Sequence, residues 1–225
     1  MRKTILILSV LALVASGCSK ATKTQAETEI QTEEATQSQA KVLNTPEQET
    51  EVNDNSLEET ILTIIKAYQK QDEETLNSLI LKDFGIAFVY RPGIMDVFEF
   101  TDKISFSEPL PDGWTFDTKI ITDYKIRFEK LPHFDCDEEK WNKPAGIYCD
   151  TKNKIETLSS IAKNVNEYAE GNFSTAEIKK LKEIEKKSHR VIVIGKKGNE
   201  FIFTVTFWEN KWYLTIIERF EACSA

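Results

Sequence analysis

Residues 190–220 read RVIVIGKKGNEFIFTVTFWENKWYLTIIERF, and this stretch decides the fold. Residues 190–194, 200–208 and 211–220 are rich in Val, Ile, Thr and aromatic residues, which favour β-strands. Glycine, asparagine and charged residues at 195–198 and 209–210 separate these runs and suit tight turns. Because connections this short join antiparallel neighbours, the stretch predicts a three-stranded antiparallel meander.

Apolar residues at helical spacing precede the meander in two places. Ser56-Leu-Glu-Glu59 fits a capping box and opens an amphipathic run to residue 68, after which Asp72 suits the N-cap of a short helix. A second apolar stripe covers 155–168 and ends at Gly171. Another capping box, formed by Ser174 and Glu177, follows it. The sequence therefore predicts two pairs of helices.

Two further strands are predicted between the helix pairs. Residues 86–90 are β-rich, and Pro92-Gly93 after them suits a type II turn. Residues 124–128 alternate apolar and charged side chains, which is typical of a strand with one solvent-exposed face. Helices that segregate along the chain from antiparallel strands predict an α+β fold, and residues 56–225 have the length of a single domain.

This order of elements resembles the nuclear transport factor two-like superfamily, in which a curved sheet wraps around helices into a cone. Residues 59–80 resemble its opening helix pair, and residues 201–218, FIFTVTFWENKWYLTIIE, resemble its closing hairpin. A cystatin-like sheet packed on one helix satisfies nearly the same pattern. The resemblance implies helices on a curved antiparallel sheet with a pocket between them, and some members use a pocket Asp or His as isomerases or dehydratases.

The N-terminus has the layout of an export signal. Arg2 and Lys3 precede an apolar run at 5–14, and Ala15-Ser16-Gly17-Cys18 resembles the lipobox of bacterial lipoproteins. As a helix the run reaches only about 15 Å, half of a hydrocarbon core of about 30 Å. We therefore expect cleavage of the signal peptide 1–17 and a lipid, with fatty acids such as palmitate, on Cys18. The alternative is an ordinary secretory signal that contains a cysteine.

Residues 18–55 are predicted to form a disordered acidic tether behind the lipid. They contain no aromatic residue and more acidic than basic side chains, so they cannot bury enough apolar surface to offset their ordering entropy. The alternative is a helical arm over residues 24–40. The whole chain carries a net charge of -8, which argues against nucleic acid as a partner.

Two weak candidates for chemistry stand in the middle of the chain. Asp96 lies among apolar residues in 93–100, where burial would raise the pKa of its carboxyl and suit it to general-base catalysis, unless it faces water. His133, Asp135 and Asp137 would share one face of an extended backbone, as a calcium or zinc site requires. A solvated acidic loop is the alternative, and we predict no cofactor.

Aromatic and cysteine residues supply the other candidates. Phe88, Tyr90, Phe98 and Trp114 belong to a crowd of aromatics that would line a pocket for an apolar or sugar-like ligand, unless they are core packing. Cys136, Cys149 and Cys223 would enter an oxidising compartment after export, so we expect one disulfide and one free thiol. Cys136 and Cys149 are closest along the chain and are predicted to be bridged.

These patterns predict an exported protein that is lipid-anchored through Cys18 to a cell membrane or outer membrane. Its domain would bind a small apolar ligand or another envelope protein without catalysis. One alternative is a small-molecule isomerase or hydrolase that uses a pocket carboxylate, and another is a structural component of an envelope complex. The two histidines, His133 and His189, have no recognisable base arrangement, which argues against an enzyme.

Overall fold

A computed structural model describes residues 54–111, 115–120, 123–154, 156–196, 199–219 and 223, all in one compact unit. Within these ranges lie the helices α1 (Asp54–Lys70), α2 (Glu73–Ser78), α3 (Leu158–Tyr168) and α4 (Thr175–Glu185). The strands are β1 (Ile86–Tyr90), β2 (Val97–Thr101), β3 (Ile126–Phe128), β4 (Phe134–Asp135), β5 (Lys140–Trp141), β6 (Gly146–Cys149), β7 (Ser188–Ile194), β8 (Glu200–Trp208) and β9 (Lys211–Glu218). The α+β class predicted from the sequence is confirmed.

Seven of these strands form one sheet in the order β2-β1-β9-β8-β7-β6-β3. The pairs β1 with β9 and β3 with β6 are parallel, and the remaining neighbours are antiparallel. β7, β8 and β9 are the predicted meander, with β8 at the predicted bounds. β4 and β5 make a separate small hairpin. Among the described residues, β2 has a neighbouring strand on its β1 side alone.

Helices cover both faces of the sheet. Ile86 and Phe88 join the core cluster that contains the apolar residues of α1, and we call this side the first face. Ala87 and Val89 point the other way and pack with residues of α3 and α4 on the second face. This alternation is the two-residue period of a strand, so the continuous apolar run in β1 reflects burial on both sides.

A β-bulge changes this alternation in β9. Val205 pairs with Leu214 while Thr204 pairs with Ile216, so Thr215 is the extra residue. Leu214 and Ile217 consequently both reach the core of the first face, although they are three positions apart.

The structure confirms some predicted helix ends and corrects others. Ser174 and Glu177 form the capping box of α4, since each backbone N–H is accepted by the other side chain at 3.2 and 2.7 Å. The helix predicted to open at Ser56 begins two residues earlier, since α1 starts at Asp54 and Ser56 lies within its first turn. The predicted type II turn at Pro92-Gly93 is also wrong, since Gly93 lacks the positive φ that such a turn requires.

Candidate functional site

An aromatic cleft lies on the second face of the sheet, between α4 and the edge strand β2. It has a volume of about 270 Å³ and is lined by Phe84, Phe98, Phe100, Phe173, Glu177, Lys180 and Leu181. Four of these seven side chains are phenylalanines, so the lining offers mainly apolar contacts with one ammonium and one carboxylate at the rim. Concave apolar sites with a few polar groups are typical of ligand binding.

Three segments bring the phenylalanines together. Phe98 and Phe100 are two residues apart in β2, so the strand period places both on the second face. Phe173 comes from the connection between α3 and α4, where its backbone N–H and C=O both bond the Asn166 amide, at 2.9 and 2.7 Å. Phe84 comes from the turn before β1, so residues that are far apart in sequence form one surface.

Gly85 fixes the turn that presents Phe84. Its φ of +79° is in the left-handed region, and an added Cβ would lie 2.7 Å from the carbonyl oxygen of Thr101. The N–H groups of Phe84 and Gly85 both donate to the Leu81 carbonyl, at 2.9 and 2.7 Å. Another residue at position 85 would therefore displace either the turn or the end of β2.

The rings meet in the geometry that aromatic pairs prefer. The Phe84 and Phe100 centroids are 5.2 Å apart at 85°, and those of Phe98 and Phe100 are 5.4 Å apart at 79°, both edge to face. Phe98 also lies 5.3 Å from Phe173. Phe100 nevertheless keeps 45% of its surface exposed, so a large aromatic side chain remains in contact with water at the cleft.

A smaller hollow of about 130 Å³ adjoins the cleft and shares Phe84 and Lys180 with it. Its other lining residues are Leu81, Asp83, Glu183, Ile184 and Trp208. The Lys187 ammonium lies 4.0 Å from the centroid of the Trp208 ring, in cation–π contact.

At the rim of the main cleft, hydrogen bonds from Ser174 hold the pKa of Glu177 below its ordinary value, so this carboxylate is engaged in capping α4.

A second cavity, the carboxylate cavity, lies at the ends of β8 and β9. It has a volume of about 180 Å³ and is lined by Tyr68, Thr115, Asp117, Glu200, Phe201, Ile217, Glu218 and Arg219. Burial raises the pKa of Glu200; a hydrogen bond from the Trp141 indole N–H, at 3.1 Å, lowers it, and the charge of Asp117 raises it again. Glu218 is engaged in a two-point ion pair with Arg190.

Asp96 does not have the environment predicted for a general base. Its Oδ1 accepts a hydrogen bond from Arg91 Nε at 2.8 Å, and its side chain is 40% exposed. It lines neither the aromatic cleft nor the carboxylate cavity. The prediction required a buried carboxyl, whereas the β1–β2 connection leaves Asp96 partly exposed and paired with Arg91.

The four aromatic residues predicted to line one pocket are separated. Phe98 lines the aromatic cleft, whereas Phe88 is 1% exposed in the core of the first face. Tyr90 also points to the first face, where its hydroxyl donates a hydrogen bond to Glu99. This hydrogen bond is the main cause that raises the pKa of Tyr90 to about 12. Trp114 lies outside the described residues.

The residues of the predicted metal site do not converge either. Asp135 ends β4, and its Oδ1 accepts the backbone N–H of Asp137 at 3.0 Å, so Asp137 is in the turn and not on an extended strand. The backbone N–H of His133 donates to the Asn142 side chain at 2.8 Å. In the described ranges, no group of three or more His, Cys, Asp or Glu side chains is placed to hold a metal ion.

The predicted disulfide is wrong in its partner. Cys136 is bonded to Cys223, with the Cα atoms 5.5 Å apart, while Cys149 is a free and fully buried thiol. Cys149 lies in β6 with its side chain in the core of the first face, so the short distance along the chain to Cys136 does not bring the two thiols together. Burial, and then the charge of Asp150, raise the pKa of Cys149 to about 12.

The predicted lipidation site Cys18 and residues 18–53 of the predicted tether lie outside the described residues. None of the described helices is both long and apolar enough to cross a membrane.

The sequence patterns grouped the aromatic residues of β1 and β2 but did not predict Phe173, Lys180 or Glu200 as site residues. An aromatic residue in the linker before the α4 capping box was the one local signal for Phe173.

The chain matches no family model, no curated protein and no solved structure.

Proposed function

We propose that the chain is a lipid-anchored binding protein of a bacterial envelope, whose folded domain binds apolar ligand groups in the aromatic cleft. The observation that carries the binding function is the exposed aromatic surface of the cleft, above all Phe100. A ligand group that enters the cavity removes apolar surface from water on both partners, at about 25 cal/mol per Å². Edge-to-face contacts with the phenylalanine rings add about 0.5–1.5 kcal/mol for each aromatic pair.

The envelope location rests on the sequence. The resemblance of residues 15–18 to a lipobox supports a lipid on Cys18, and the acidic composition of residues 19–55 supports a tether between the lipid and the domain. From the separate resemblance of residues 59–80 and 201–218 to the nuclear transport factor two-like superfamily, we propose that the sheet is curved into a cone. A tethered, non-catalytic domain of this kind would hold its ligand close to the membrane surface.

Binding of the uncharged dye Nile red, followed by fluorescence, tests the cleft. We expect the wild-type domain to bind the dye and Phe100→Ser to weaken binding about tenfold, the equivalent of about 1.4 kcal/mol. Phe128→Ser is the matched control, because Phe128 is 41% exposed in β3, at the opposite edge of the sheet. Equal loss of binding in both variants, or no binding by the wild type, would contradict the proposal.

A second candidate function is hydrolysis or isomerisation of a small molecule in the carboxylate cavity. It is favoured by Glu200, whose burial in a cavity beside Asp117 raises its pKa as a general acid or base requires. A substrate screen of the wild type and of Glu200→Gln tests it, with Glu209→Gln as control at an exposed turn. Turnover that Glu200→Gln lacks and the control retains would favour this function over simple binding.

A further inference from the structure

We propose that the outer edge of β2 accepts an extended segment of another polypeptide as an added strand, and that this segment alternates apolar and basic residues. The proposal rests on the function of the aromatic cleft and names its occupant.

The backbone groups of Phe98 and Phe100 point away from the sheet. Arg219 N–H donates to the Val89 carbonyl at 2.8 Å, so the backbone groups of Val89 point toward β9. Neighbouring residues in a strand point their backbone groups in opposite directions, so those of Phe88 point toward β2 and toward its register partner Glu99. The N–H and C=O groups of Phe98 and Phe100, one position to either side of Glu99, therefore face outward.

The side chains of the same two residues line the aromatic cleft. Side chains that lie directly opposite in paired strands have their Cβ atoms about 4.5–5.5 Å apart. A strand that pairs with Phe98 and Phe100 would therefore place every second side chain over the cleft on the second face. One extended segment thus satisfies both the backbone edge of β2, which no strand of the described residues pairs, and the exposed ring of Phe100, as in other cases of strand addition.

The charges along this edge select a basic segment. Glu99 lies in β2 on the first face, opposite to the cleft, and accepts a hydrogen bond from the Tyr90 hydroxyl. Asp102 directly follows β2, whereas Asp96, directly before it, is already paired with Arg91. The intervening side chains of an added strand lie on that first face, next to Glu99. Lysine or arginine there would form a favourable cross-strand pair, whereas an acidic residue would be repelled.

A second copy of the chain fits this edge poorly. Two antiparallel β2 strands pair both outward phenylalanines with each other when Phe98 lies opposite Phe100. This register sets Glu99 opposite its own counterpart and Asp96 opposite Asp102. Like charges directly opposite each other destabilise strand pairing, so the occupant we infer is a different, basic polypeptide.

The test uses a synthetic peptide of alternating lysine and valine with a central phenylalanine. Two matched peptides are the controls: one is N-methylated at every second backbone nitrogen on the side that would pair with β2, and the other has glutamate in place of lysine. The readouts are NMR titration and hydrogen exchange of the Phe98 and Phe100 amides in the full folded domain.

We expect the lysine peptide to bind and to slow exchange of the Phe98 and Phe100 amides about tenfold or more, since these donors gain acceptors. The N-methylated and glutamate peptides should bind at least several-fold more weakly. Glu99→Gln, which keeps an acceptor for Tyr90, should weaken binding of the lysine peptide about two- to fivefold. Glu59→Gln, at an exposed position of α1, should leave binding unchanged.

Equal binding of the N-methylated peptide, or unchanged exchange of both amides, would overturn strand addition. A concentration-dependent dimer in sedimentation that protects the same two amides would identify a second copy as the occupant and would also overturn it. The Nile red experiment separates the two proposals: if Phe100→Ser weakens dye binding but no peptide binds, the cleft function stands and strand addition fails. If neither dye nor peptide binds, both fail.

Discussion

At the residue scale, two neighbouring residues end α3. One takes the left-handed conformation and the other leaves space for the preceding turn, two roles that a single glycine often fills. Glu170 takes the left-handed conformation, with φ of 54°, directly after the C-cap residue Ala169. Gly171 donates its N–H to the Val165 carbonyl at 3.0 Å, and an added Cβ there would lie 2.6 Å from Val165 Cγ1. The sequence prediction that Gly171 ends the helix was thus close, but the glycine is needed for space and not for its φ.

Glu170→Gly is therefore expected to stabilise the fold by about 0.5–1 kcal/mol, because glycine relieves a left-handed conformation that costs other residues about 1–2 kcal/mol and loses some of this through unfolded-state entropy. Gly171→Ala is expected to destabilise it by about 1–3 kcal/mol through overpacking. Urea denaturation of both variants measures the two effects. We expect the free energy of unfolding to rise in Glu170→Gly and to fall in Gly171→Ala. A lower free energy of unfolding in both variants would contradict this account of the turn.

Glu185 is a buried carboxyl at the end of α4. It is 3% exposed, and its Oε1 accepts the backbone N–H of Ser159, in the first turn of α3, at 3.1 Å. Burial raises the pKa of Glu185 above its ordinary value, although the hydrogen bonds from Ser159 and Leu158 oppose this. The folded state consequently binds this proton more tightly than the unfolded state does.

The stability that Glu185 contributes is therefore fully present below its unfolded pKa and is lost as the pH rises through its folded pKa. We expect the free energy of unfolding of the wild type, minus that of Glu185→Gln, to fall as the pH rises above about 4.3, the ordinary pKa of a glutamate. Urea denaturation at several pH values measures this difference, in which the other titrating groups cancel. A difference that is constant with pH, or that rises, would show that the raised pKa is not realised in the folded protein.

At the scale of elements, one covalent link ties two distant parts of the chain. The disulfide joins Cys136, beside the β4–β5 hairpin, to Cys223, beyond β9, across 87 positions of sequence. The free thiol of Cys149 lies in β6, between β3 and β7. The three cysteines therefore have different roles, which their spacing along the chain does not show.

Replacing Cys136 and Cys223 by serine should lower the free energy of unfolding by about 4–5 kcal/mol in the chain-entropy model, given the length of the closed loop. Cys149→Ser is the control and should leave the disulfide in place. Peptide mapping without reduction should recover a Cys136–Cys223 peptide, and Cys149 should react with thiol reagents only after unfolding, because it is buried with its pKa raised to about 12. Rapid modification of Cys149 in the folded protein would disagree with its position in β6.

The elements that the sequence predicts well are those with a local signal. The capping box at Ser174, the run 86–90 and the whole of β8 were placed by residue type and spacing alone. The disulfide partner and the edge position of β2 depend on which strands pair across long stretches of chain. Periodicity carries no information on that pairing, so these features could not be predicted from residues 97–101 or from the cysteine spacing.

At the scale of the whole molecule, the aromatic cleft shows the same limit. Its phenylalanines come from positions 84 to 173 and meet only because α4 packs on the second face beside β1 and β2. The aromatic crowding predicted a pocket that includes Phe98, and Phe98 does line the cleft. Phe88 was predicted to line the same pocket and does not, because without the fold the two faces of β1 cannot be assigned to helices.

The attachment of the molecule to a membrane is predicted to depend on Cys18 alone. A net charge of -8 disfavours adhesion to anionic lipid, so the lipid on Cys18 is the expected anchor. One acyl chain holds a protein only marginally on a membrane, whereas the two or three acyl chains of a bacterial lipoprotein together hold it firmly.

Cys18→Ser should therefore move the protein from the membrane fraction to the soluble fraction and abolish incorporation of labelled palmitate, while Cys149→Ser should change neither. Fractionation with alkaline extraction measures this, and a Cys18→Ser protein that still resists extraction would mean that another part of the chain holds the membrane.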